Sequence, residues 1–144
     1  MSVSHILKHK GGDIITASQS DTIKAITETL AKKRIGAVII TDGNGKIAGI
    51  VSERDVVRCL AEKGAEALVL TAAAIMTKNV KTCSVSDSET ELMAMMTENR
   101  IRHLPVVSQG KLVGMISIGD VVKFRIEAIE RDAADMKAYI AGAA

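Results

Sequence analysis

Two stretches of this 144-residue chain repeat one another. Gly49-Ile50-Val51-Ser52-Glu53-Arg54-Asp55-Val56-Val57 returns as Gly114-Met115-Ile116-Ser117-Ile118-Gly119-Asp120-Val121-Val122, at a constant offset of 65 residues. Each copy is a glycine, a short apolar run and Ser-x-x-Asp opening a helical pattern. Each follows a Gly-Lys turn, Gly45-Lys46 and Gly110-Lys111. Upstream, Asp21 matches Asp87, Arg34 matches Arg100 and Ile35 matches Ile101 at an offset of 66. The change of register falls in a turn, where Asp42-Gly43-Asn44-Gly45 faces the shorter Ser108-Gln109-Gly110. An indel confined to a turn between matching runs marks a duplicated structural unit. A unit of about 65 residues buries too little surface to be secure alone. Two copies packed face to face and sharing one core, as a single pseudo-symmetric domain, are therefore expected.

The patterning gives the same order of elements in each copy: strand, helix, strand, strand, helix. In the first, Ile14-Ile15-Thr16 is strand-like, and Ser20 or Asp21 can cap a helix carrying Ile23, Ile26 and Leu30 at spacings of three and four. Ala37 to Thr41 and Ile47 to Val51 form a hairpin around the Asp-Gly-Asn-Gly turn. A helix from Asp55 to Lys63 follows Ser52 and stops at Gly64. Thr71 can cap a short Ala-rich helix ending near Met76. In the second copy, Val80 to Cys83 is a strand and Ser86 or Asp87 caps a helix carrying Leu92, Met93 and Met96. Leu104 to Val107 and Leu112 to Ser117 form the hairpin, and a helix starts at Asp120. Val3 to Leu7 is a short helix or extended arm ended by Gly11-Gly12. The expected division is residues 1–70, the first repeat with its arm, and 71–144, the second with a linker helix and a C-terminal helix, the two folding as one module. The final helix is longer than its counterpart, and its spare apolar face suggests packing against another subunit.

Composition excludes several function classes. A net charge of +2 is too small to mark a nucleic-acid or anionic-membrane partner. An aromatic content of 1%, Phe124 and Tyr139, leaves no stacking platform for single strands. No run approaches the roughly 18 apolar residues of a membrane span, and His5, Lys8, His9 and Lys10 stand where a secretory leader needs an apolar stretch. Cys59 and Cys83 lack metal-ligand spacing and are expected to be buried, reduced thiols. The expected setting is cytoplasmic. His5 and His9 have no third ligand at metal spacing, and Met76, Met93, Met95, Met96 and Met115 fill core or interface gaps. Glu89, Glu91 and Glu98 read as a solvated helix face, as do Lys123, Arg125, Glu127, Glu130, Arg131 and Asp132 along the last helix. Ser52 and Ser117 have no histidine at a readable spacing, and no second acidic cluster could hold a catalytic metal, so no enzyme is expected.

The Ser-x-x-Asp motif has two readings. It is a capping box, with serine as N-cap and aspartate reaching back to the serine amide. Equally, a carboxylate offers two acceptors to a vicinal diol, and a helix start offers amides to a phosphate. The residue pattern alone leaves both open.

The ordered set of motifs resembles a tandem CBS-domain protein, the cystathionine β-synthase domain pair, of the small stand-alone bacterial type. The resemblance is carried by Gly49 to Asp55 in the first copy, and by Arg102-His103-Leu104-Pro105-Val106-Val107 with Ser117-Ile118-Gly119-Asp120 in the second. It covers roughly residues 3 to 125. It implies an α/β (α+β) fold, a pseudo-twofold pair of repeats, and two clefts between them for adenine nucleotides: AMP foremost, with ADP, ATP, NAD(H) or S-adenosylmethionine as others. By the family pattern the aspartate holds the ribose hydroxyls, the serine contacts ribose or phosphate, and the opening strand of the other repeat meets the adenine. One cleft would then take Ser117 and Asp120 with Ile14, Ile15, Thr16, Gly36, Ala37, Arg54 and Arg102. The other would take Ser52 and Asp55 with Val80, Lys81, Thr82, Arg102, His103 and Pro105. Arg54 and Arg102 would supply the phosphate end by bidentate contact, which ranks the Asp120 cleft as the tighter. The implied protein is a nucleotide sensor, a homodimer acting in trans on an unknown partner, without catalytic cofactor. The alternative is a constitutive dimerisation module with vestigial clefts.

Overall fold

The computed structural model describes residues 2–11 and 13–143, with the side chains of 2–11 and 13–142. Two three-stranded sheets, ordered β1-β2-β3 and β4-β5-β6, each carry helices, so the fold is mixed α/β, built from one plan used twice.

The first unit comprises Asp13–Thr82 with the turn segment Gln109–Leu112. Its strands are β1 (Thr16–Ser18), β2 (Ala37–Thr41) and β3 (Ile47–Ser52). β1 runs parallel to β2 and β2 antiparallel to β3. Ala37 to Ile40 are all buried, a continuous apolar run suited to a central strand. In the β2–β3 turn, Asp42 Oδ1 accepts from the amides of Asn44 and Lys46 at 2.8 and 3.0 Å, a side chain replacing turn hydrogen bonds. The helices are α2 (Ile23–Lys33), α3 (Glu53–Lys63) and the short α4 (Ala72–Ile75), with a 3₁₀ segment at Gly64–Val69. Ile23, Ile26 and Leu30 of α2 meet Val38, Ile40, Val51 and Val56 in one apolar cluster.

The second unit takes Cys83–Ser108, the chain from Val113 onward and the N-terminal helix. It holds β4 (Cys83–Ser84), parallel to β5 (His103–Ser108), then β6 (Lys111–Ser117). Gln109 and Gly110, the two residues between β5 and β6, have φ of 51° and 76°. Positive φ at both positions matches the strand twist, and this is why the second turn can be shorter. α5 (Glu89–Asn99) and α6 (Ile118–Ala143) flank the sheet. Val3, Ile6, Leu92, Met96, Leu104, Ile116 and Phe124 form its core.

The structure differs from the sequence expectations at several local points. The helix caps are Thr22 and Ser88 rather than Ser20 or Asp21 and Ser86 or Asp87, because Asp21 and Asp87 turn back to accept the amides of Ser18 and Ser84. β1 and β4 begin two and three residues later than the apolar runs suggested, which leaves Ile14, Ile15 and Val80 to Thr82 ahead of the strands. Glu89 is not solvated: it is buried and ion-paired with Arg125 of α6, with its second oxygen unpartnered. Glu91 closes a capping box with Ser88. The arm expected as a short helix or extended segment is a helix, α1 (Val3–Lys10), capped by Gly11, while Gly12 lies outside the described residues.

That helix was grouped with the first repeat, yet its bonds are to the second. Val3 and Ser4 donate to the carbonyls of Asp87 and Val85, at 2.9 and 3.1 Å. In the first unit, Ala72 and Ala73 of α4 donate to Asp21 and Gln19, at 2.8 and 3.1 Å. Donors and acceptors correspond pair by pair, so α1 holds in the second unit the place of α4 in the first. Each then presses a side chain on the motif glycine. A Cβ on Gly49 would meet Met76 Sδ at 2.7 Å and the Thr77 carbonyl at 2.9 Å; one on Gly114 would meet Leu7 Cδ2 at 2.7 Å. The glycine of the repeated motif exists for this approach. Gly49→Ala is expected to cost about 1–3 kcal/mol, since a backbone carbonyl cannot swing away. Gly114→Ala is expected to cost less, the obstacle being the end of a leucine; urea unfolding of both variants ranks them.

Candidate functional site

Both Ser-x-x-Asp motifs form capping boxes. In the first unit Ser52 Oγ accepts from the Asp55 amide at 3.3 Å, and Asp55 Oδ2 accepts from the Ser52 amide at 2.8 Å and its hydroxyl at 3.0 Å. In the second, Ser117 Oγ accepts from the Asp120 amide at 3.1 Å, and Asp120 Oδ2 accepts from the Ser117 amide at 2.9 Å. A further bond ties each helix start to the entrance of the hairpin. Glu53 N–H donates to Gly36 C=O at 2.9 Å, and Ile118 N–H to Arg102 C=O at 2.8 Å. Two of the first three amides are thereby used, and those of Arg54 and Gly119 have no partner among the described residues.

Capping consumes one carboxylate oxygen and leaves the other. Among the described residues Asp55 Oδ1 has only Arg58 Nη1 at 3.9 Å, a loose contact from a mostly exposed side chain. Asp120 Oδ1 has no hydrogen bond among the described residues, while Oδ2 takes a second donor, Lys10 Nζ at 2.6 Å. That ammonium also donates to the Met115 carbonyl at 2.7 Å, so it joins the end of α1 to β6 and α6. Burial would raise the Asp120 pKa, but the Lys10 hydrogen bond, the Ser117 amide and the ammonium charge outweigh it and hold the carboxyl below its ordinary range.

The remaining expected residues divide between the units. The first brings Gly36 and Ala37 to the Ser52–Asp55 motif, through the Gly36 carbonyl and the pairing of Ala37 with Ser52. Thr16 opens β1, half-buried Ile14 and Ile15 precede it, and Arg54 is exposed on the first turn of α3. Half-buried Val80 and exposed Lys81 and Thr82 form a segment without regular structure at the end of this unit. In the second, Arg102 is an exposed side chain whose carbonyl caps α6, His103 is half-buried at the start of β5, and Pro105 is buried within it. Lys10 was missed. It lies 110 residues from Asp120, and its only signal was its place at the end of the amphipathic pattern Val3, Ile6, Leu7.

Neither thiol offers a nucleophile. Cys59 and Cys83 are free and buried, and burial, with the charge of Asp87 adding, pushes the Cys83 thiol up to about 12. Among the described residues no helix is long and apolar enough to cross a membrane.

The duplicated fold, with a capped carboxylate at equivalent helix starts, defines the class. The CBS domain family matches residues 3–62 and 72–127, and the chain belongs to that family as a tandem pair. The structure is similar to the crystal structure of the CBS-domain containing protein ATU1752 from Agrobacterium tumefaciens, with a TM-score of 0.84, 43% identity, and 86% of this chain and 92% of that chain covered. It is also similar to the CBS domain pair of protein MJ0100, solved in complex with 5′-methylthioadenosine and S-adenosyl-L-methionine, with a TM-score of 0.79, 26% identity, and 89% and 98% covered. In sequence it is 31% identical over 148 residues to the mitochondrial CBS domain-containing protein CBSX3 of Arabidopsis thaliana, covering 97% of this chain and 72% of that protein. The chain spans 72% of the length of CBSX3 and between 22% and 61% of the length of several other curated relatives that it matches.

The ion pair at Asp120 gives a pH signature. A carboxyl whose folded pKa lies below its ordinary value of 3.8 stabilises fully above that value and loses the contribution as pH falls through the folded value. Lys10→Met is expected to cost about 0.5–1 kcal/mol near neutrality, discounted because the pair is partly solvated. Urea unfolding of both proteins should show that difference shrinking below pH 4; an unchanged difference would assign the cost to packing alone.

Proposed function

We propose that this chain is a regulatory module that binds an adenine nucleotide, AMP foremost with ADP, ATP or NAD(H) as others, and acts in trans on a protein it controls. The observation that carries the reading is the Asp120 carboxylate. It is held by Ser117 through Oδ2, and among the described residues its Oδ1 has no hydrogen bond and the helix-start amide of Gly119 no partner, with the Lys10 ammonium alongside. A ribose diol needs an oriented acceptor, and a phosphate needs an amide or a cation nearby. The adenosine-containing ligands of the MJ0100 pair support the ligand class. Asp55 and Ser52 are the equivalent hook of the first repeat. Ile14, Ile15, Thr16, Gly36, Ala37, Arg54, Val80, Lys81, Thr82, Arg102, His103 and Pro105 join the proposal through the family resemblance. The cytoplasm is the proposed compartment. Regulation requires that the ligand favour one state of the module by differential affinity.

Scanning fluorimetry with AMP, ADP, ATP, NAD, adenosine and S-adenosylmethionine tests this directly. At a hundredfold excess over Kd, a ligand of the folded state adds about 2.7 kcal/mol, a rise of several degrees in Tm. Asp120→Ala should lower the baseline by about 1 kcal/mol through the lost cap, and should also remove the ligand shift. A flat panel would leave a constitutive dimerisation module as the reading. A full shift in Asp120→Ala would overturn the ribose assignment.

A further inference from the structure

The helix α6 is longer than its own unit requires. Val121 and Phe124 are buried and Ala128 half-buried, whereas from Ile129 to Gly142 every residue is exposed. A bare helical overhang of that length is marginal in water.

Its exposed apolar residues form a pattern. Val122, Ile126, Ile129, Ala133, Met136 and Ile140 follow one another at spacings of four, three, four, three and four. This is the alternation of a heptad, with Ile126, Ala133 and Ile140 at a and Val122, Ile129 and Met136 at d. The exposure of Ile126, Ile129, Met136 and Ile140 lies between 51% and 61%. At about 100° per residue, the seam lies about a third of a turn from the stripe of Val121 and Phe124 that packs inward, so both faces can be buried at once.

The flanking charges select the occupant and its direction. Lys123, Glu130 and Lys137 fall at e; Arg125, Asp132 and Tyr139 fall at g. In a parallel pair in register, each g faces the e position five residues further along the other helix. Arg125 then meets the partner's Glu130, and Asp132 meets the partner's Lys137, opposite charges in both cases. Arg125 also holds Glu89, but its side chain is 53% exposed and its fork of five donors can serve two carboxylates. A fully overlapping antiparallel pair would instead set Lys123 against the partner's Lys137, and Glu130 and Asp132 each against its own copy. A lipid surface fits less well, since it favours a basic polar face and α6 carries four basic and five acidic residues. We propose that α6 joins two copies of this chain as a parallel, in-register, two-stranded coiled coil, with the twofold axis along the helices.

The test combines sedimentation velocity with cross-linking, on the full chain. A dimer is expected, and Ile129→Asp should convert it to monomer without lowering the cooperativity of unfolding, because residue 129 is exposed. Under mild oxidation Met136→Cys should form a disulfide dimer by itself, Cys59 and Cys83 being buried. Asp132→Lys should weaken association about tenfold, and adding Lys137→Asp should restore it. The proposal is overturned by a monomer at tens of micromolar, with or without vesicle binding. It also fails if Ile129→Asp remains a dimer, or if Met136→Cys cross-links only when mixed with Ile126→Cys.

Discussion

Everything that places the two motif carboxylates depends on how α3 and α6 begin. A helix start has amides that the helix cannot satisfy. Here one is taken by the carbonyl of Gly36 or Arg102, just ahead of the hairpin, and another by the motif serine. The first bond fixes the helix to the sheet, and the second fixes the serine to the helix. The aspartate then reaches back to the serine amide, which sets its side-chain angle without using both oxygens. The capping and ligand readings of Ser-x-x-Asp therefore do not compete. The cap holds the carboxylate in a fixed direction, and an acceptor oriented in advance lowers the ordering cost of any ligand that it would receive.

The second constraint is the close approach at the motif glycine. β3 and β6 each need cover on the residue that precedes the helix-opening run, and a short helix supplies it with Met76 or Leu7. The two covering helices correspond in their hydrogen bonds, but each precedes in sequence the repeat that it does not cover. Each unit is therefore covered by the helix that leads, in sequence, into the other one. Because α1 is the covering helix of the second unit, its last turn ends beside Asp120. The corresponding segment after α4 runs through Thr77, which pairs with Ile50, to Asn79, which carries no charge.

The plan of the fold was legible because duplication shows each element twice. The hairpins, α3 with its Ser52 and Gly64 ends, the Thr71 cap and the long last helix follow from local chemistry: turns, caps and periodicity. What escaped depends on contacts distant in sequence. Asp21 and Asp87 were read as helix caps, but each spends its carboxylate on the turn before the helix. Glu89 was read as solvated because its sequence neighbours are polar, yet Arg125 lies over it from α6. The match of Ile6-Leu7 to Ile75-Met76 was present in the sequence. It was obscured because Val3-Ser4-His5 and Ala72-Ala73-Ala74 share nothing but helix compatibility. At the site, the serines and aspartates were readable as a motif, whereas Lys10 was not, since no local pattern announces an ion pair closed by the fold.

The repeats are alike in backbone and unlike in cations, and the difference bears on what each hook can hold. Asp120 faces an ammonium at 2.6 Å that a carbonyl also steadies, whereas Asp55 has a guanidinium at 3.9 Å on an exposed stem. A fixed cation next to a carboxylate neutralises much of its field, so an anionic ligand is repelled less at Asp120 than at Asp55. The same cation keeps Asp120 ionised, and an ionised carboxylate accepts two hydroxyl donors more strongly than a neutral one. The two motifs thus share the backbone that holds the carboxylate and differ in the charge beside it, a fixed ammonium at Asp120 and a distant guanidinium at Asp55.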